Sequence, residues 1–83
     1  MFLVQYTHRA LKSLNKIPIA WRKRILKAID GLKSEPFQGK KLRGELEGSF
    51  SLRVWPYRII YLVNKKQITI IIMDIGHRQN VYK

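Results

Sequence analysis

The 83-residue chain contains no cysteine. That absence removes disulfide staples, thiolate zinc sites and thiol nucleophiles together, and it fits a reducing compartment such as the cytoplasm. Acidic residues are scarce: five Asp and Glu stand against 17 Lys and Arg, a formal net charge of +12. Asp30, Glu35, Glu45, Glu47 and Asp74 form no ligand cluster, and the closest pair, Glu45 and Glu47, sits in a glycine-flanked stretch. Mg²⁺-dependent nuclease chemistry, which needs acidic ligands, is therefore disfavoured. His8 and His77 are too few for a zinc site without cysteine, and no metal or other cofactor is expected. Neither a Gly-rich phosphate loop nor a Ser-His-acid arrangement is present. Apolar runs such as Ile70 to Met73 fall far short of the roughly 20 residues that span a bilayer. His8, Arg9 and Lys12 interrupt the apolar stretch that an export signal needs, so no membrane association is expected.

What is present suffices for one small domain, residues 1–83. Hydrophobic residues make up 46% of the chain, with two Trp, four Tyr and three Phe, enough to fill a core. An isoelectric point near 10.5 attracts polyanions by electrostatics alone. The charge is uneven: residues 1–44 carry 11 basic and 2 acidic side chains, net +9, and residues 45–83 carry 6 and 3, net +3.

The pattern along the chain predicts an α+β fold. Phe2, Val4 and Tyr6 alternate with Leu3 and Gln5 as in a short strand. Thr7 then caps a helix whose apolar stripe is Ala10, Leu11, Leu14 and Ile17. Pro18 closes that helix and opens a second, in which Trp21, Ile25, Ile29 and Leu32 share one face. Residues 7–34 thus read as a helical hairpin, and residues 36–48, with Pro36, Gly39, Gly44 and Gly48, as a loop. A three-stranded antiparallel meander packed on the helices follows.

In that meander the register is the informative quantity. With Trp55-Pro56 at the first tip, Val54 faces Tyr57, Leu52 faces Ile59 and Phe50 faces Tyr61, all apolar pairs on one face. With Lys65-Lys66 at the second tip, Val63 faces Ile68, Tyr61 faces Ile70 and Ile59 faces Ile72. The opposite face then carries Arg53 directly across from Arg58, with Met73 beside Arg58 on the third strand. Like charges so placed destabilise a sheet unless they splay into water or meet an anion. Two guanidinium forks match the non-bridging oxygens of a phosphate. Beyond the strand Ile68 to Ile75, Gly76 is read as a break that places His77 and Arg78 at the sheet edge, followed by Tyr82. Anion clamps, a group titrating near neutrality and an aromatic plate suit cleavage of RNA.

The ordered segments Lys41-Leu42-Arg43-Gly44, Gly48 to Val54, Tyr57-Arg58-Ile59-Ile60-Tyr61 and Gly76-His77-Arg78 with Val81-Tyr82 resemble the RelE/ParE toxin superfamily, and the RelE branch most. The resemblance implies a toxin of a type II toxin–antitoxin pair, an endoribonuclease that cuts mRNA in the ribosomal A site. It further implies a cognate antitoxin as partner, with operator DNA engaged by their complex. Arg58 matches the family's phosphate-clamping arginine, Arg78 the basic residue after the last strand, and Tyr82 the near-terminal tyrosine. Arg53 and Ser51 fall where the best-studied branch has two catalytic lysines; Ser51 cannot clamp charge, and an arginine stays protonated and makes a poor base. The mechanism expected is attack by the ribose 2′-OH on the adjacent phosphodiester. Arg53, Arg58 and Arg78 would act electrostatically, Tyr82 would stack on a base or orient the nucleophile, and His77 would transfer a proton. Lys41 and Arg43 read as outer contacts to the RNA backbone. A gyrase-poisoning toxin of the ParE type and a non-catalytic nucleic-acid-binding module are the alternatives left open.

Overall fold

The computed structural model describes residues 1–77. Strand β1 (Leu3–Tyr6) leads into helices α1 (His8–Lys16) and α2 (Ile19–Leu32). A two-residue strand β2 (Lys40–Lys41) and a single 3₁₀ turn (Gly44–Leu46) precede β3 (Ser49–Val54), β4 (Tyr57–Asn64) and β5 (Thr69–His77). The sheet is five-stranded with order β1-β5-β4-β3-β2. Strand β1 runs parallel to β5, and the remaining pairs are antiparallel.

Thr7 joins the two layers. Its hydroxyl accepts the Ala10 N–H at 3.1 Å, capping α1, and shares its proton between the Ile72 and Met73 carbonyls of β5 at 3.1 and 2.9 Å. The chain turns between the helices at Pro18, which has no N–H to leave unpaired there. One face of the hairpin, with Ala10, Leu14, Ile17, Ile25, Ile29 and Leu32, packs on Phe50, Ile59, Tyr61, Ile70, Ile72 and Ile75 of the sheet. Side chains alternate across a sheet, so this fixes which residues lie on the face turned away from the helices.

The first hairpin has the expected register, with Val54 across from Tyr57, Leu52 from Ile59, Phe50 from Tyr61 and Arg53 from Arg58. Three expectations are corrected. Lys65-Lys66 is not a two-residue tip: Asn64 pairs with Thr69 across a four-residue loop, Val63 faces Ile70, and Tyr61 faces Ile72. A two-residue tip favours positive φ at both central positions, which lysine resists, whereas this loop has positive φ only at Ile68, at 51°. The Asn64 side-chain oxygen also accepts the Gln67 N–H at 3.0 Å, stabilising the loop locally.

Secondly, the ladder shifts between Ile60 and Tyr61, so that Ile60 pairs with Asp74 while Tyr61 pairs with Ile72. Met73 is the extra residue of this bulge and does not stand beside Arg58. Ile75 returns to the core face, and Asp74 reaches α1, where it accepts from Ser13 Oγ at 3.1 Å and pairs with Arg9 Nε at 3.3 Å. Thirdly, residues 36–48 are not all loop, because Lys40 and Lys41 pair with Ser51 and Phe50. The Gly39 N–H donates to the hydroxyl of fully buried Tyr61 at 3.0 Å and so anchors the start of this edge strand. A Cβ at Gly39 would stand 2.6 Å from that oxygen, a distance only glycine avoids.

Candidate functional site

The tip at Trp55-Pro56 sets the site. Because the two strands leave it in fixed register, Arg53 of β3 and Arg58 of β4 are directly opposed on the face away from the helices. Their Cα atoms are held about 4.5–5.5 Å apart by the ladder itself. On the far side of Arg58 stands Gly76, not Met73. Gly76 adds no side chain to that row, and the long Arg58 side chain is half-buried. Arg53 is exposed, and its guanidinium carbon lies 5.2 Å from the centroid of the Trp55 ring. Trp55 itself is 51% exposed. This is a site of concentrated positive charge with an aromatic surface at its rim.

One row further from the tip, Ser51 is buried, and its hydroxyl has no hydrogen-bond partner among the described residues. It supplies no charge. Across from Ser51 on the edge strand is exposed Lys40, which the register puts on the same face as the two arginines. Sequence reasoning passed over Lys40 in favour of its neighbours. The available signal was the Lys40-Lys41 doublet, in which strand alternation sends one lysine to each face. Lys41 pairs with core-facing Phe50, so it lies on the helix side, and it borders a recess with Phe37, Gly39, Val63 and Lys65. Arg43 lies beyond the end of β2, exposed, at a groove it shares with Lys40, Lys41, Glu47 and Gly48.

Gly76 does not break β5; the strand continues through it, and His77 pairs with Tyr57. The His77 ring meets the Tyr57 ring edge-on, with centroids 5.9 Å apart, and Tyr57 in turn lies 6.2 Å from Trp21 of α2. His77 is thus on the helix side of the sheet, opposite to Arg53 and Arg58, and the structure does not bring it to them. The expectation of a shared edge overlooked that the one-residue bulge changes which residues of β5 face each way. Arg78 and Tyr82 lie outside the described residues. Among the described residues, no three His, Asp or Glu side chains come together as metal ligands, and no helix is long and apolar enough to cross a membrane.

Among the described residues, two phenols, Tyr61 and Tyr6, are held away from their ordinary ionisation, and both are structural. Burial pushes the Tyr61 phenol up, partly offset by the Gly39 N–H, and burial likewise raises Tyr6, partly offset by Lys33.

A strand, a helical hairpin and a mixed sheet that opposes two arginines on its helix-free face define a small basic α+β domain. The sequence matches the model of the ParE toxin of type II toxin–antitoxin systems over residues 4–82. It is 35% identical to Toxin RelG of Mycobacterium tuberculosis, over 99% of this chain and 97% of that protein. The crystal structure of the toxin–antitoxin complex RelBE2 from M. tuberculosis superposes with a TM-score of 0.85 at 34% identity, covering 93% of this chain and 98% of that one. The archaeal RelE–RelB complex from Pyrococcus horikoshii superposes with a TM-score of 0.79 at 31% identity, covering 96% and 98%. The chain belongs to the ParE toxin family of type II toxin–antitoxin systems and has the fold of its RelE relatives.

Proposed function

We propose that this toxin is a metal-independent endoribonuclease that cuts mRNA, in the ribosomal A site, and so stops translation. The observation that carries the reading is the Arg53–Arg58 opposition across β3 and β4. In this reaction the RNA brings its own nucleophile: the 2′-OH attacks the adjacent phosphorus, the bond to the 5′ oxygen of the next nucleotide breaks, and a 2′,3′-cyclic phosphate remains. Charge builds on the non-bridging oxygens as the phosphorane forms, and two fixed guanidinium groups stabilise that charge more than the ground state. Holding the phosphate between two strands of a rigid sheet also fixes the attacking geometry.

Arg78 and Tyr82 join the site on the strength of the family resemblance, as a third cation and as the group that stacks on a base or orients the nucleophile. Lys40, with Arg43 at the edge, extends the backbone contacts, while Lys41 is better placed to contact RNA from the helix side. His77, on that same side, is left out of proton transfer. The M. tuberculosis and P. horikoshii relatives are seen in complexes with their antitoxins. An acidic or amphipathic antitoxin that covers the arginines would silence this chain, in the cytoplasm, and the pair would bind its operator DNA.

Primer extension on mRNA from cells expressing the toxin, with and without its genomic neighbour, tests the reading. Discrete cuts are expected with the toxin alone, lost on co-expression and lost with Arg58→Ala. Growth arrest with intact mRNA and gyrase-linked DNA breaks would instead establish a gyrase-poisoning activity of the ParE type.

A further inference from the structure

Trp55 is the feature that the phosphate chemistry above does not use. Large aromatic side chains dominate core energetics, and this one sits at a hairpin tip with 51% of its surface exposed while Tyr57 and Trp21 nearby are packed on the core. Its ring lies 5.2 Å from the guanidinium carbon of Arg53, so the aromatic face and the cation belong to one surface. The tip that places it is the same two-residue turn that sets the opposition of Arg53 and Arg58.

From this placement we infer that Trp55 is a nucleobase-stacking platform: it takes the base next to the phosphate held by Arg53 and Arg58, on single-stranded RNA. The inference rests on the ribonuclease reading for the identity of the strand. In a single strand every phosphate is flanked by a base with an apolar π-face, and proteins that hold such strands interleave cations with aromatic platforms for this reason. A phosphate at Arg53 brings its neighbouring base within reach of a ring that already borders that arginine. The contact tolerates any base, so Trp55 contributes affinity and register along the strand without hydrogen-bond selection. Relatives with a small residue at this tip would hold the phosphate but lack the platform.

The test compares two oligomers binding to the full chain at one fixed low salt concentration. One is a hexamer of 2′-O-methyladenosine, which cannot supply the attacking hydroxyl; the other is the same sugar–phosphate chain without bases. Trp55→Ala is expected to weaken the adenosine hexamer by roughly 5- to 150-fold, the range of one lost base stack, and to leave the abasic chain within about twofold. Trp55→Phe keeps a π-face and should retain most of the affinity, which separates lost stacking from a damaged hairpin. Equal weakening of both oligomers by Trp55→Ala would overturn the inference, since the ring would then act only by placing Arg53. Unchanged binding of the adenosine hexamer would overturn it as well. Arg58→Ala is expected to weaken both oligomers. If it weakens neither, the ribonuclease reading falls while the Trp55 comparison still stands or falls by its own result.

Discussion

Opposing Arg53 and Arg58 should cost the free protein stability, and the cost can be measured as a coupling. The perturbation is a double-mutant cycle of Arg53→Gln, Arg58→Gln and the double variant, which removes charge while keeping an unbranched polar side chain. The two residues are direct cross-strand partners, and like charges in that position destabilise by about 0.2–1 kcal/mol. Either single substitution relieves the repulsion, but the second cannot relieve it again. The two single changes in stability should therefore sum to about 0.2–1 kcal/mol more than the double variant shows. Losses that each substitution causes separately, including the Arg53–Trp55 contact, cancel in the cycle. Urea unfolding in about 10 mM salt, where the Debye length is about 30 Å, gives the full coupling; in about 1 M NaCl, where it is about 3 Å, the coupling should shrink toward zero. For a domain this small, about 1 kcal/mol corresponds to about 4–8 °C in melting temperature, so thermal melts give a second reading. A coupling of zero at low salt, or one of attractive sign, would refute the reasoning: the two guanidinium groups would then diverge and could not share one phosphate.

Two further outcomes follow from the packing. Gly39→Ala puts a Cβ 2.6 Å from the Tyr61 hydroxyl and 3.0 Å from the Ser51 carbonyl oxygen, so β2 must shift, and denaturant unfolding should show a loss of about 1–3 kcal/mol. Tyr6 and Tyr61 are both raised above the ordinary value of 10.0 by burial. Above pH 10 the unfolded chain releases these phenolic protons before the folded one does, so stability is intact below pH 10 and falls as pH rises beyond it. The decline measured between pH 9 and 11 should be shallower in Tyr61→Phe than in the parent, each referred to its own stability at pH 8. An unchanged slope would mean that Tyr61 titrates normally.

The sequence made some of this legible for definite reasons. Phe50, Leu52 and Val54 alternate with Ser49, Ser51 and Arg53, so β3 has one apolar parity, and Pro56 fits at the tip, so the Arg53–Arg58 pairing followed from letters alone. The second hairpin resisted the same treatment. Ile68, Ile70, Ile71, Ile72 and Ile75 present the same side chain at several registers, and a two-residue slip keeps every apolar face apolar, so the pattern could not choose between a two- and a four-residue loop. The Met73 bulge leaves no mark in composition, yet it decides that Gly76 and not Met73 stands by Arg58, and that His77 joins Tyr57. Strand β2 was invisible because two lysines carry no periodicity; their charge is what an edge strand uses to discourage further pairing. With it went Lys40, whose side of the sheet is defined only by its partner Ser51.

The role given to the arginine pair is tested most directly by single-turnover cleavage of ribosome-bound mRNA by the parent toxin and by Arg58→Ala of matched melting temperature. The account predicts cleavage by the parent that leaves 2′,3′-cyclic phosphate ends, and a fall in rate of about 10²–10³-fold in the variant, the scale of one lost contact to developing negative charge. A variant rate within about twofold of the parent, or parent products that end in a 3′-hydroxyl instead of the cyclic phosphate, would contradict it.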